Sequence, residues 1–372
     1  MIAIALALAL ATDAAAAFTA GDFPRATTAY ETALHADPND FDALVRLAAL
    51  HLYDEDLDGA QTYLARAAAL QPQSPRVASI QMVLDGRRAV RAGLVNASLA
   101  APEVDVPFVA NEPLPLVTVS VNGHDALFVV DTGAPDIIID PDFAHELGIA
   151  MVAAGNGIFA GGKTAPIERA VVDRFAVGGA VVRAMAATTN PTRRLPFFPG
   201  RRVDGILGTG FFERFTATID YPHARLVFRA RGTPTDDPRE IAMPMWLVGD
   251  HFIFARGRVN DAPETQFLVD TGLAGGGLMP SQATVSAANI VLDTKNTGTG
   301  TGGGGQITAI PFVAKRIQLG AAVQTDIPGI YTPEGTPFGI FPFTVGGAIS
   351  HLFLEHYAVT FDFAHMQLVL RP

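Results

Sequence analysis

The chain has 372 residues, 49% hydrophobic and 17% charged, with a formal net charge of −11 at pH 7. That composition fits a globular protein with large cores in two or three domains and excludes a disordered one, while the acidic balance without a basic stripe argues against nucleic acid as a partner. The absence of cysteine excludes disulfides, thiolate chemistry and zinc sites built on cysteine, without deciding the compartment.

In chain order, residues 1–12 begin with an apolar run from Ile2 to Ala11. It is too short to span a bilayer. Its length and small residues suit a signal-peptide core, though no basic residue precedes it, and the competing reading is the first helix of the Ala-rich region that begins at residue 13. The signal reading implies an extracytoplasmic location, periplasmic or secreted, and a mature chain without an integral membrane segment.

Residues 13–92 are Ala-rich with helical spacing. Ala26, Tyr30, Ala33 and Pro38 recur as Ala60, Leu64, Ala67 and Pro72, each shifted by 34. This period resembles that of tetratricopeptide repeats, in which small residues let paired helices pack closely. Gly21-Asp22-Phe23 and Asp58-Gly59 read as turns inside each pair. Asp37-Pro38-Asn39-Asp40 reads as the cap of the next helix, and Ser74 to Ala92 as a closing helix. Two units are few for a stack, so the module is expected to lean on the rest of the chain or on a partner. It is either a helical spacer or a surface for a peptide or protein partner.

The prolines after this region mark residues 93–106 as a linker. Two similar segments come next, residues 107–234 and 235–372. The first opens with an apolar hairpin, Leu116 to Val121 and Ala126 to Val130, turned at Asn122-Gly123. Its second strand runs Phe128-Val129-Val130 into Asp131-Thr132-Gly133, and Phe267-Leu268-Val269 runs likewise into Asp270-Thr271-Gly272, 139 positions on. Ten residues after each Asp stands a proline, Pro141 and Pro280. Thr218-Ile219-Asp220-Tyr221 returns as Thr360-Phe361-Asp362-Phe363, 142 positions on. A near-constant offset over this length is an internal duplication, and two copies mean two similar lobes. A single Asp-Thr-Gly is ordinary turn chemistry. The duplication with matched flanks carries the signal.

This arrangement resembles a retropepsin-like aspartic protease with two fused lobes, from about residue 104 to the end. The expected architecture is therefore a helical repeat segment followed by an all-β, two-lobed acid-protease fold. The resemblance implies that Asp131 and Asp270 meet at the lobe interface as the catalytic pair, sharing one proton because two close carboxylates cannot both ionise. It implies dyad support from Thr132 and Thr271, hydrogen-bonded across the interface, and from Gly133 and Gly272, where the backbones approach closely. Gly-rich stretches at 155–162 and 298–305 would be flaps over the substrate, with Gly157, Ile158, Phe159, Gly300 and Gly302 against it. No metal and no organic cofactor is implied. The partner would be a protein or peptide substrate, and one chain suffices for activity.

Three positions depart from the family pattern. Ser350 stands where Gly208 of the first lobe predicts glycine, and Ala134 and Leu273 stand where a hydroxyl residue usually follows Asp-Thr-Gly. These departures leave a catalytically silent peptide- or protein-binding module as the alternative. His351, Glu355 and His356 miss the His-x-x-Glu-His spacing by one residue and read as structural. Asp136 and Asp140 read as surface or turn acids, and Asp220 and Asp362 as turn ligands.

Overall fold

Residues spaced four and three apart, Ala26-Tyr30-Ala33 and Ala60-Leu64-Ala67, put a narrow buried stripe on two of the early helices. The computed structural model describes residues 12–159, 163–195, 198–302 and 305–372, so the expected signal core, Ile2 to Ala11, lies outside the described residues. Helix α1 covers 12–19, followed by α2 (Phe23–Ala36), α3 (Phe41–Tyr53), α4 (Leu57–Leu70) and α5 (Pro75–Ala92). Ala26, Tyr30 and Ala33 are buried on α2, and their repeat partners Ala60, Leu64 and Ala67 on α4. Helix α3 buries eight of its residues, in keeping with its contacts to α2, α4 and α5.

The caps explain where the helices start. Asp40 accepts the amide of Ala43 and Asp56 that of Gly59, each satisfying an otherwise unpaired helix N–H. Asp58-Gly59, expected as a turn, instead lies in the first turn of α4. A side chain at Gly59 would meet the capping carboxylate at 2.2 Å and His51 Nδ1 at 2.5 Å, so glycine is there for space. Gly86 is the opposite case: it is exposed on α5 with nothing within 4 Å of a would-be Cβ. Gly86→Ala is expected to raise stability by about 0.5–1 kcal/mol, read as a higher urea midpoint.

The helices form one compact unit with two later segments, Trp246–Asp250 and Phe341–Val345. Phe23 is its hub, with ring centroids 4.9 Å from Phe343, 5.3 Å from Trp246, 5.4 Å from Tyr53 and 6.0 Å from Phe18. Each buried ring contributes roughly 1.5–3 kcal/mol. Arg87 pairs with Glu55 at 2.6 Å, both buried, and the Thr344 amide donates to Thr19 O at 2.7 Å. The support that two repeats need therefore comes from this chain's own aromatic residues.

The second unit holds the remaining residues from Val95 onward. Its first half contains β1 (Ala97–Leu99), β2 (Glu103–Pro107), β3 (Leu116–Val121), β4 (His124–Val130), β5 (Ile137–Ile139), α6 (Pro141–Glu146), β6 (Val152–Ile158), β7 (Thr164–Val177), β8 (Ala180–Thr189), β9 (Gly205–Leu207), α7 (Thr209–Phe212), β10 (Phe215–Asp220) and β11 (Arg225–Ala230). The other half continues with β12 (Ile241–Pro244), β13 (Trp246–Val248, grouped with the helices), β14 (Phe252–Val259), β15 (Thr265–Val269), β16 (Leu278–Pro280), α8 (Gln282–Ala287), β17 (Gly298–Gly302), β18 (Gly305–Leu319), β19 (Ala322–Tyr331), β20 (Val345–Ile349), α9 (His351–Leu354), β21 (Ala358–Asp362) and β22 (Gln367–Arg371).

Residues 93–106 correct the linker expectation, because they contain β1, paired with β8, and β2, paired with β11. Strand β2 alternates exposed and buried side chains, the pattern of a half-buried strand. Pro107 ends it on the sheet edge, where no ladder N–H is required.

The two halves close the same ring of strands. In the first, β3-β4-β9-β5-β8-β7 returns to β3; in the second, β14-β15-β20-β16-β19-β18 returns to β14. A third sheet, ordered β12-β22-β21-β10-β11-β2, takes three strands from each half. Its middle pair, β10 and β21, is antiparallel with Thr218 opposite Thr360, their hydroxyls 2.7 Å apart. The repeated Thr-x-Asp motifs thus face each other across the seam, and Asp220 and Asp362 bind the turns beyond it through His223 and His365. Asp140 departs from the surface reading: it is 1% exposed and caps α6.

Candidate active site

Apolar strands β4 and β15 each end in a carboxylate. The Asp131 amide donates to Leu207 O at 3.1 Å and the Asp270 amide to Ile349 O at 3.0 Å, so β9 and β20 hold the two loops in equivalent ways. Thr132 and Thr271, both fully buried, lock the loops together. The Thr132 amide donates to Thr271 Oγ1 at 2.9 Å and the Thr271 amide to Thr132 Oγ1 at 3.2 Å, while the hydroxyls donate to Val269 O and Val130 O.

Each carboxylate lies against the glycine of the opposite loop. A Cβ on Gly133 would fall 2.5 Å from Asp270 Oδ1, and one on Gly272 would fall 2.1 Å from Asp131 Cγ. Within its own loop, Asp131 Oδ1 accepts the Gly133 amide at 2.8 Å and Asp270 Oδ1 the Gly272 amide at 2.9 Å. The two carboxyl groups are close enough for each to affect the other's proton affinity. Removal from bulk water raises the Asp131 carboxyl well above the usual carboxylate range, and the nearby Asp270 charge raises it further. The same loss of hydration raises Asp270, partly offset by the Gly272 amide and by the neighbouring Asp131. Two carboxyls this close and this removed from water do not readily ionise together.

The departures from the pattern have local explanations. At Gly208 a Cβ would meet Pro135 O at 2.1 Å and Asp136 O at 2.4 Å, so only glycine fits. Ser350 fits in the second half because its hydroxyl donates to Asp270 O and accepts the Leu273 amide, tying the loop from beneath. In the first half Thr209 ties the loop at a different carbonyl, donating to Thr132 O at 2.8 Å. The Ala134 amide donates to Asp131 O at 3.2 Å.

The Gly-rich stretches form hairpins, β6–β7 and β17–β18. Gly157 pairs with Ala165, Ile158 with Thr164, Gly300 with Ile307 and Gly302 with Gly305, and the Phe159 amide donates to Lys163 O at 2.8 Å. Residues 160–162 and 303–304 lie outside the described residues. The hairpins approach each other, since a Cβ on Gly305 would lie 3.9 Å from Lys163 Cδ.

Two further buried residues lie near the loops, of which only His351 stood out in the sequence, beside Glu355 and His356 at an off-register metal-ligand spacing. Tyr221 is buried, and loss of hydration raises its hydroxyl far above the ordinary range, with further contributions from Glu355, Asp131 and Asp270. His351, next to Ser350, is fully buried, with both ring nitrogens lacking a hydrogen-bond partner. The repeated Tyr221/Phe363 position was visible as part of the duplication, but nothing local distinguishes its surroundings.

Residues 117–211 and 255–341 match the Aspartyl protease family, one segment in each half, and residues 17–82 match the Tetratricopeptide repeat. No curated protein matches the chain. Among solved structures, it is similar to a retropepsin-like aspartic protease from Rickettsia conorii, at 17% identity and a TM-score of 0.25, covering 36% of this chain and 92% of that one. No helix among the described residues is long and apolar enough to cross a membrane. Both Asp-Thr-Gly loops thus lie inside the segments that match the Aspartyl protease family, downstream of the segment that matches the Tetratricopeptide repeat.

Proposed function

We propose that the chain is an aspartic endopeptidase with Asp131 and Asp270 as its catalytic pair. The observation that supports this reading is the placement of each carboxyl against the other loop's glycine, close enough for the Asp270 charge to raise the proton affinity of Asp131. The ionised partner takes a proton from a water as it attacks the peptide carbonyl, and the protonated partner donates to the developing oxyanion. The β6–β7 and β17–β18 hairpins, with Gly157, Ile158, Phe159, Gly300 and Gly302, close over an extended peptide and exclude water.

The test is cleavage of unfolded casein across pH 3 to 7, with and without a statine-type transition-state mimic. Cleavage should follow a bell-shaped pH profile and be blocked by the mimic. Both carboxyls are raised, so its alkaline limb should lie above the ordinary carboxylate range. Failure to cleave any unfolded protein would leave a peptide-binding module in its place.

The repeats supply the second part of the proposal, recruitment of a protein substrate. Their aromatic interior is filled by Trp246 and Phe343, which leaves the outer faces for a partner. Met82, 70% exposed on α5, is the natural probe. Met82→Glu should raise KM for a recruited protein severalfold and leave cleavage of a short peptide unchanged; equal effects on both would remove recruitment.

A further inference from the structure

Beyond the dyad, we infer a binding site for one zinc-class divalent cation formed by Glu112, His351 and Glu355. Glu112 lies in the segment between β2 and β3. His351 begins α9 and Glu355 is its C-cap. The first ligand comes from one lobe and the other two from the other, 239 positions away in sequence.

The geometry is that of neighbouring ligands around an ion. His351 Nε2 lies 3.6 Å from Glu112 Oε1 and 3.5 Å from Glu355 Oε2, and the three ligand atoms fall within 4.8 Å of one another. Those separations exceed a normal hydrogen bond. Tetrahedral ligands with bonds of about 2.1 Å sit roughly 3.4 Å apart, close to what is seen. His351 is fully buried and neither ring nitrogen has a hydrogen-bond partner, so its polar edge is unsatisfied. A divalent ion would satisfy Nε2 and neutralise both carboxylates at once. Imidazole with two carboxylates favours zinc-class metals over calcium or magnesium, which prefer all-oxygen shells. The Glu112 side chain is 69% exposed, so the ion can enter from solvent and water can complete the shell.

The site adjoins the catalytic loop. His351 follows Ser350, whose hydroxyl ties Asp270 O and the Leu273 amide. An ion held here would pin the first lobe to the element beneath Asp270 and brace the lobes against separation.

The test uses the full chain, stripped with EDTA, desalted and titrated with Zn²⁺ by calorimetry, with Co²⁺ as a spectroscopic substitute. One Zn²⁺ per chain should bind, and Zn²⁺ should raise the melting temperature. Glu112→Gln and Glu355→Gln should each weaken binding at least roughly tenfold and abolish the thermal shift. These partly exposed positions carry the test because His351→Gln, in the core, could fail to fold. No saturable binding, or full-strength binding in both variants, overturns the assignment. So does a purely ionic role, in which the variants change the pH dependence of stability and Zn²⁺ changes nothing. None of these readouts depends on peptide cleavage.

Discussion

Asp131→Asn and Asp270→Asn are each expected to reduce peptide cleavage by roughly a thousandfold or more, since either change removes a group that must accept or donate a proton. Each should also become more stable than the parent near neutral pH. A carboxyl with raised proton affinity in the folded state leaves the native protein holding more protons than the unfolded one. Stability then declines as pH rises from the ordinary carboxylate range through the raised one. Asparagine cannot ionise, so the decline should flatten. Urea unfolding at pH 4 and pH 7, together with initial rates on casein, measures both effects. Full activity in either variant would remove the pair from the mechanism, and an unchanged pH slope would remove the electrostatic account.

The second large effect is steric. In Gly272→Ala the new methyl would overlap the Asp131 carboxyl, 2.1 Å from Cγ and 2.3 Å from both oxygens. Contacts that short cannot persist, so the carboxyl or the loop must move, and the Thr132–Thr271 lock resists the loop's movement. A displacement of about 1 Å costs on the order of a hundredfold in turnover. Turnover should fall by that amount, with KM for a short peptide little changed. Gly86→Ala is the control, expected to leave activity alone. Wild-type turnover in Gly272→Ala would mean that the carboxyls do not need this placement.

The duplication was legible because its signal is local: an apolar strand ending in Asp-Thr-Gly, then a proline at a fixed distance, written twice. The helix starts at Asp40 and Ser74 were legible for the same reason. Strand β2 was obscured because its prolines resemble linker chemistry, although Glu103 to Val106 alternates as a strand should. Asp58-Gly59 misled because glycine suggests a turn, whereas its role is to make room for a capping carboxylate. Ser350 looked like a defect because its neighbours in space, Asp270 O and the Leu273 amide, are distant in sequence. Trp246 and Phe343 carry no period that assigns them to a helical unit. The approach of Glu112 to His351 depends wholly on how the two lobes pair.

The sheet shared between the halves decides what becomes of a severed molecule. All described side chains of β10 and β21 are buried, and each strand supplies the other's ladder partner. A fragment ending near residue 234 would uncover a long, dry backbone edge. Its nearest available substitute is β10 of another fragment, with Thr218 against Thr218. Such a fragment would escape aggregation by self-association, placing two Asp131 loops side by side in a symmetric pair.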